Sequence, residues 1–346
     1  MRTVYTDAHQ LHHGNAELMP EGLVPCFEMP RRAEMIRARV EEVGLGEILP
    51  PTEHGLEAVL RVHDAGYVRF LQTASQEWQA LGRQGDAIPY TWRYPRAPGG
   101  VPSGIDGKLG YYSIDVGAPI TPTTWQAVAS SVDVALTGVE LVLAGERAIF
   151  SLCRPPGHHA GRDYMGGYCF LNNAAIAAEV LSDHGRVAVL DIDYHHGNGT
   201  QDIFYDRGDV LFTSIHGDPD VEYPYFSGHR VETGEGPGEG TNLNRPLPHG
   251  SGITPFRAAL DECLVAIREF EPAHLVVSLG LDTFREDPIS YFTLDTEDYP
   301  GIGADIARLG LPTLYVMEGG YAVDALGVNT VNVLTGHDEA LAAAGD

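Results

Sequence analysis

The chain has 346 residues, of which 43% are hydrophobic and 20% are charged. This composition supports one large core and excludes an intrinsically disordered chain. The formal net charge of −26 excludes an extended basic face, so we expect no nucleic-acid partner.

Helices and short apolar strands alternate along the chain. Pro30 lies where a first-turn proline belongs and predicts a helix from there to about residue 43. Further helical patterns lie at 172–182, 255–270 and 296–309. Apolar, often β-branched runs predict strands at 2–6, 148–152, 187–192, 210–215, 274–279 and 313–317. The alternation predicts an α/β fold, with a mostly parallel sheet between helices.

Polar residues of unusual chemistry follow five of these predicted strands. In chain order, the segments are RPPGHHAGRDYMGGY, DYHHGNGTQD, HGDPDVEYPYF, GLDTFREDP and EGGY. In a parallel sheet the ligand site lies beyond the carboxyl ends of the strands. We therefore expect all five segments to meet at one site.

Two long stretches interrupt the regular alternation. Residues 82–124 are rich in Gly and Pro, and residues 216–252 are acidic and contain GEGPGEG. GEGPGEG neither follows a strand nor opens a helix, so we do not interpret it as a nucleotide loop. Loops of this length in a compact domain usually carry function or mediate assembly. We find no repeat and no linker, and predict a single domain over residues 1–346.

Asp193 and His195 form a D-x-H step, and period two places both side chains on the same side of an extended backbone. Asp282, at the end of another predicted strand, can supply a third ligand. Two carboxylates and one imidazole suit a borderline divalent ion such as zinc, with one position left for water. Fe(II), Mn(II) and Co(II) accept the same ligands. The alternative is a hydrogen-bonded loop pair without a metal.

His158 and His159 follow a Pro-Pro-Gly turn, and Asp191 and Asn198 are available to orient their rings. Beside a cation, at least one imidazole would stay neutral and act as a general base. Tyr321, after two glycines, can donate a hydrogen bond to an oxyanion. Alone, the histidines would be a surface turn and the tyrosine a packing residue. Together these groups indicate a metal-assisted hydrolase.

Five motifs resemble the zinc-dependent histone deacetylase superfamily. They are RPPGHH (154–159), GGYCFLNN (166–173), DIDYHHGNGTQD (191–202), SLGLD (278–282) and EGGY (318–321). The likeness runs from the N-terminus to about residue 334. The 82–124 segment, YTDAH and SLGLDTFREDPIS are most similar to bacterial acetylpolyamine amidohydrolases. The resemblance implies the arginase–deacetylase fold, a single domain with a central eight-stranded parallel sheet between helical layers.

The resemblance implies a single zinc ion, bound by Asp193, His195 and Asp282. Ser214 would help to bind a monovalent cation, K+. Amidinohydrolases such as arginase share the fold but bind two manganese ions through additional aspartates. The corresponding positions here are Gly197 and Gly280, which favours one metal.

The catalytic residues implied by the resemblance are His158 backed by Asp191, His159 backed by Asn198, and Tyr321. In many relatives the position of Asn198 is aspartate, so we expect His159 to be held less readily as an imidazolium here. The substrate would pass between walls formed by Tyr168, Tyr223 and Gly167.

In acetylpolyamine amidohydrolases the long loop builds a dimer interface and narrows the channel. Its acidic mouth selects slender cationic substrates. Glu17 and Asp106 match two of the mouth positions, while a third is Gly117, with Asp115 nearby.

We therefore expect a homodimeric amidohydrolase that releases acetate from acetylputrescine, acetylcadaverine or longer acetylpolyamines. The alternatives are a deacetylase of acetyl-lysine in proteins, a non-catalytic metabolite sensor and a dinuclear amidinohydrolase. No apolar run reaches a membrane span, residues 1–10 lack a signal-peptide core, and no C-x-x-C pair occurs. These features predict a cytoplasmic protein with no membrane partner and no disulfide framework. The cysteines concerned are Cys26, Cys153, Cys169 and Cys263.

Overall fold

The computed structural model describes residues 1–20, 22–94 and 98–345. Eight strands form one parallel sheet, in the order β4–β1–β5–β10–β9–β6–β7–β8, and β2 and β3 form a separate antiparallel hairpin. The strands are β1 (Arg2–Val4), β2 (Glu17–Met19), β3 (Gly22–Val24), β4 (Ile48–Leu49), β5 (Ala148–Ser151), β6 (Val187–Asp191), β7 (Val210–Gly217), β8 (Asn242–Leu247), β9 (His274–Leu279) and β10 (Thr313–Met317).

Helices cover both faces of the sheet. One layer contains α2 to α7 and the other contains α1, α8, α9 and α10. The helices are α1 (Arg31–Val43), α2 (Glu57–Val62), α3 (Ala65–Ala80), α4 (Ile105–Tyr111), α5 (Thr124–Leu143), α6 (Asn173–Leu181), α7 (Asn198–Phe204), α8 (Ile253–Phe270), α9 (Tyr299–Ala307) and α10 (Val323–Gly345).

Each central strand contributes alternate side chains to two separate apolar cores. Ile149 and Val189 belong to the core under α5 and α6, whereas Phe150 and Leu190 belong to the core under α8 and α10. Because both faces are buried, these strands are apolar almost throughout rather than alternating with polar residues. This burial makes the central sheet a rigid base for the loops at its carboxyl edge.

The structure confirms the predicted single α/β domain with a central eight-stranded parallel sheet. All six predicted strands lie in it, and α1, α6, α8 and α9 begin and end close to their predicted bounds. The two remaining strands, β4 and β8, are the edges of the sheet. An edge strand has one neighbour and more solvent contact, so its sequence lacks a strong apolar pattern. For this reason β8 was hidden in the irregular stretch 216–252.

The predicted loop at 82–124 is not entirely loop. It contains the short helix α4, and Ala87 pairs with Ile120 in an antiparallel bridge across it. Residues 95–97 of this segment lie outside the described residues. The prediction missed α4 because seven residues with two glycines give no clear helical period.

Among the described residues, one helix, α5, is long and apolar enough to cross a membrane by length and composition alone. The expectation that no run reaches this length was therefore too strict. In the fold, 61% of its apolar window is buried, and α5 packs against α6 and β5. Burial in the core explains its apolar composition.

Candidate active site

The residues predicted for metal binding and catalysis meet beyond the carboxyl ends of four central strands. Asp191 ends β6, Asp193 and His195 follow it, and Asp282 follows β9. Adjacent strands of the parallel register bring these segments to the same edge, with Asp191 paired to Ser278 of β9. The paired histidines follow β5 and Tyr321 follows β10. These residues therefore lie at one edge of the sheet, where the strand-end rule predicts a ligand site.

Asp193, His195 and Asp282 form a compact and buried group. Their ligand atoms all lie within 4.8 Å of one another. His195 Nδ1 is 3.0 Å from Asp282 Oδ2 and 3.5 Å from Asp193 Oδ1. Burial and then the charge of Asp193 raise the pKa of Asp282 to about 8, so two ionised carboxylates here are costly without a cation. This donor set fits a divalent metal ion.

Three glycines leave just enough room for this group. A Cβ at Gly280 would lie 2.1 Å from Asp193 Oδ2, and one at Gly197 would lie 2.2 Å from Asp191 Oδ2. A Cβ at Gly319 would lie 2.6 Å from carboxylate oxygens of both Asp193 and Asp282. The Gly319 N–H also donates to Asp193 Oδ2 at 2.7 Å. The positions that would carry extra aspartates in dinuclear amidinohydrolases therefore have no space for them.

His158 and His159 lie side by side, with ring centroids 4.0 Å apart. His158 Nδ1 donates to Asp191 Oδ2 at 3.0 Å, and His159 Nδ1 donates to Asn198 Oδ1 at 2.7 Å. Burial lowers the pKa of His158, but the charges of Asp193 and Asp191 outweigh it and raise the value to about 10. Burial and the neighbouring His158 and His195 lower the pKa of His159 well below its ordinary value.

Glu318 holds the loop that carries the histidine pair. Its Oε2 accepts hydrogen bonds from the Gly157 N–H at 2.7 Å and the His158 N–H at 3.1 Å. Its side chain is fully buried, and burial raises its pKa to about 7. With His158 and Cys169 it forms a second group of potential ligand atoms within 4.8 Å. Glu318 lies in the EGGY motif, but nothing local in the sequence predicts this role.

Tyr321 is held by its backbone and by its ring. Its N–H donates to Asp287 Oδ2 at 2.7 Å. The Arg32 guanidinium lies 4.7 Å from the ring centroid, and the Tyr168 ring lies 5.5 Å away. Burial raises the pKa of Tyr321 well above 10, so its hydroxyl remains a hydrogen-bond donor at neutral pH. No motif in the sequence predicts this role for Asp287 or Arg32.

Tyr223 and Gly167 lie against His159. The ring of Tyr223 meets that of His159 edge-on at 5.0 Å. Gly167 has a φ of +50°, and a Cβ there would lie 2.4 Å from His159 Cδ2, so only glycine fits. Asp115 Oδ2 accepts hydrogen bonds from the Tyr223 hydroxyl at 2.6 Å and the Gly167 N–H at 2.9 Å. Asp115 thus links the two residues.

The two residues predicted for an acidic mouth lie differently. Glu17 is only 5% exposed; it accepts a hydrogen bond from the Phe27 N–H at 3.3 Å and lies beside the Tyr168 hydroxyl. Asp106 lies on α4 and forms an ion pair with Arg83. Within the described part of one chain, Asp106 makes no hydrogen bond or ion pair with the residues of the site.

Ser214 is fully buried in β7, where it pairs in register with Asp191. Its hydroxyl lies 2.8 Å from His216 Nδ1. The four cysteines are free and buried, and burial raises the pKa of the Cys169 thiol well above its ordinary value. A neutral thiol in this position is a poor nucleophile.

Comparisons with known proteins identify the family of this chain. Residues 26–336 match the histone deacetylase domain family. The chain is 58% identical over 344 residues to acetylpolyamine amidohydrolase 1 of Pseudomonas aeruginosa, covering 98% of this chain and 99% of that protein. It is 50% identical over 338 residues to acetylpolyamine amidohydrolase of Mycoplana ramosa, covering 97% and 99%.

A solved structure shows the same fold over nearly the whole chain. The crystal structure of acetylpolyamine aminohydrolase from Burkholderia pseudomallei has a TM-score of 0.94 and 38% sequence identity, covering 98% of this chain and 99% of that one. The match to the family domain and the full-length similarity confirm the resemblance that the five motifs indicated. The chain belongs to the histone deacetylase family and, within it, is most like the acetylpolyamine amidohydrolases.

Proposed function

We propose that this protein is a zinc-dependent amidohydrolase that removes the N-acetyl group from small cationic amines such as acetylputrescine and acetylcadaverine, releasing acetate. One observation carries the proposal. A three-ligand metal group, a histidine pair and a buried tyrosine converge at one sheet edge, in a chain similar over its whole length to acetylpolyamine amidohydrolases. No covalent nucleophile is needed for this chemistry.

Asp193, His195 and Asp282 would hold the metal, and zinc suits two carboxylates and one imidazole. When bound, a divalent ion supplies a Lewis acid that polarises the amide carbonyl and lowers the pKa of water. The crowding at Gly197 and Gly280 supports one ion rather than two.

The histidine pair divides into a proton acceptor and a charged neighbour. His159, neutral because its pKa is lowered, accepts a proton from the attacking water at Nε2 and returns it to the leaving amine. His158, whose Nδ1 bonds to Asp191 Oδ2 at 3.0 Å, would supply positive charge beside it. The Tyr321 hydroxyl donates a hydrogen bond to the carbonyl oxygen as that oxygen gains negative charge.

Asn198→Asp is expected to move the acidic limb of the pH profile of kcat/KM upward by about one unit or more. A carboxylate in place of the amide, 2.7 Å from His159 Nδ1, favours the imidazolium and raises the pKa of His159. Because the acceptor must be neutral, activity then begins at higher pH. Rate measurements between pH 5 and 9 check this, with Asn198→Ala as the uncharged control. A limb that stays fixed or moves down in the aspartate variant would show that His159 is not the acceptor.

The wall residues support a slender substrate. Tyr168, Tyr223 and Gly167 lie around the catalytic groups, and the net charge of −26 attracts cations to the protein. The second candidate is an acetyl-lysine deacetylase. Asp106, on α4, forms an ion pair with Arg83. This pairing favours the alternative, because within one chain Asp106 then does not narrow the mouth of the channel.

We expect kcat/KM of the zinc-loaded protein to be at least about tenfold higher for acetylputrescine and acetylcadaverine than for an acetyl-lysine peptide. Buried acidic groups would pair with the positive charge of an acetylated diamine. A substrate without that charge at the same place would leave these groups unpaired, which lowers its kcat/KM. The measurement is a parallel steady-state comparison of the three substrates. Equal rates, or preference for the peptide, would remove the polyamine assignment and leave the amidohydrolase chemistry in place.

We also propose that the protein forms a homodimer, binds one K+ ion and is cytoplasmic. The 82–124 segment exposes Tyr90, Trp92 and Tyr94, which supports a homodimer interface on it. Ser214, buried beside Asp191, supports the K+ site. Four free cysteines support a cytoplasmic location.

A further inference from the structure

Glu28 is a buried carboxylate that lies between two arginines beneath the site. Its side chain is 2% exposed. Arg154 grips it in a fork, with Nε 2.7 Å from Oε1 and Nη2 2.8 Å from Oε2. Arg32 Nη1 donates to Oε1 at 3.0 Å. Bidentate pairs of this kind fix geometry as well as charge.

Arg154 lies at the start of the loop that carries the histidine pair. Only Pro155, Pro156 and Gly157 lie between it and His158. Its remaining terminal nitrogen donates to the backbone carbonyl of His9. The guanidinium is therefore held on both sides, and its position sets where the histidine loop begins.

Arg32 holds the opposite loop. Its Nε donates to the Gly320 carbonyl at 2.7 Å, and Nη2 donates to the Glu318 carbonyl at 2.6 Å. The same guanidinium lies 4.7 Å from the centroid of the Tyr321 ring. It thus supports both the backbone and the ring of the residue that donates to the oxyanion.

We propose that Glu28 is a positioning residue that sets the distance between the histidine pair and Tyr321. One carboxylate binds the guanidinium in front of the histidine loop and the guanidinium under the tyrosine loop. Removing its charge leaves two buried arginines facing each other and frees both loops together. The proposal rests on the proposed function, because it concerns the geometry of that catalytic set.

Glu28→Gln keeps the size of the side chain and removes its charge. We expect kcat to fall at least about tenfold, with KM and metal content within about threefold of wild type, because small displacements of reacting groups are costly. Affinity for acetohydroxamate, which chelates the metal and offers an oxygen to Tyr321, should fall in parallel. That readout does not depend on turnover.

Glu179 provides a matched control. It also joins two arginines, accepting from Arg61 Nε at 3.0 Å and from Arg207 Nη1 at 2.9 Å, but on α6, away from the catalytic loops. Glu179→Gln should lower the melting temperature and leave kcat and hydroxamate affinity within about twofold. A purely structural role for Glu28 predicts the same behaviour in both variants.

Arg32→Lys covers the case in which Glu28→Gln does not fold. It keeps the charge next to Glu28 but cannot reach both the Gly320 and Glu318 carbonyls. It should also lower kcat and hydroxamate affinity with little change in KM. Wild-type kcat and affinity in either folded, metal-loaded variant would overturn the proposal. If the wild type hydrolyses no acetylated amine, the proposed function fails, and the hydroxamate comparison still decides the role of Glu28.

Discussion

Tyr321→Phe is expected to lower kcat by about two to three orders of magnitude while the protein keeps its metal and its fold. The substitution removes only the hydroxyl. The backbone N–H still donates to Asp287 and the ring still lies against Arg32. What is lost is the hydroxyl that we propose as a preorganised donor to the developing oxyanion, in a buried site where such a hydrogen bond is strong.

The test is a steady-state measurement of kcat and KM with metal content determined on the same sample. Tyr315→Phe is the matched control, because that phenol is also fully buried but bonds to His337 Nδ1 at 2.7 Å, outside the site. Its melting temperature should fall and its kcat should stay the same. A Tyr321→Phe enzyme with near wild-type kcat would assign oxyanion stabilisation to another group.

The central sheet could be predicted because its strands are buried on both faces. Runs such as VAVLD in β6 and TLYVM in β10 can be stable only inside a sheet covered by helices. The edge strands β4 and β8 carry little such signal, since β4 has two residues and half of β8, NLNRPL, is polar. Their pairing depends on neighbours distant in sequence.

The proposed metal ligands could be placed together from the sequence because they follow those strands. Asp193 and His195 follow β6, and Asp282 follows β9. The sheet therefore brings the three side chains together, as predicted. Supporting residues could not be found in this way. Glu318 bonds to His158 across 160 residues, and Arg32 bonds to Gly320 across 288. Nothing local in the sequence indicates such a partner.

The strand-end rule does not apply to the two residues predicted for the acidic mouth. Glu17 and Asp106 were assigned by resemblance rather than from their own surroundings. The structure buries Glu17 beside Tyr168 and pairs Asp106 with Arg83. Meanwhile Asp115, noted only as a neighbour of Gly117, joins Tyr223 to Gly167. Glu17 begins β2 and Asp106 lies on α4, so the end of a central strand fixes neither position.

Gly280→Asp is expected to abolish metal binding and to lower kcat/KM by about three orders of magnitude or more. The new Cβ would lie 2.1 Å from Asp193 Oδ2, so Asp193 must move out of its place in the ligand group. The added carboxylate also increases repulsion among Asp193, Asp282 and Asp287. Loss of several kcal/mol of charge stabilisation from a metal corresponds to about this change in rate.

Metal per chain after zinc loading and gel filtration provides the direct readout, measured beside kcat/KM on acetylputrescine. Gly55→Asp adds the same charge where a Cβ would meet nothing within 4 Å, and it should retain one metal and full activity. An aspartate at position 280 that brought two metals per chain would mean that the fold readily accepts the dinuclear arrangement. The residue at position 280 alone would then decide whether the site binds one metal ion or two. Loss of the metal would mean instead that a single-metal site requires glycine at position 280, because any side chain there displaces Asp193. The glycine would then be as necessary for metal binding as the ligands.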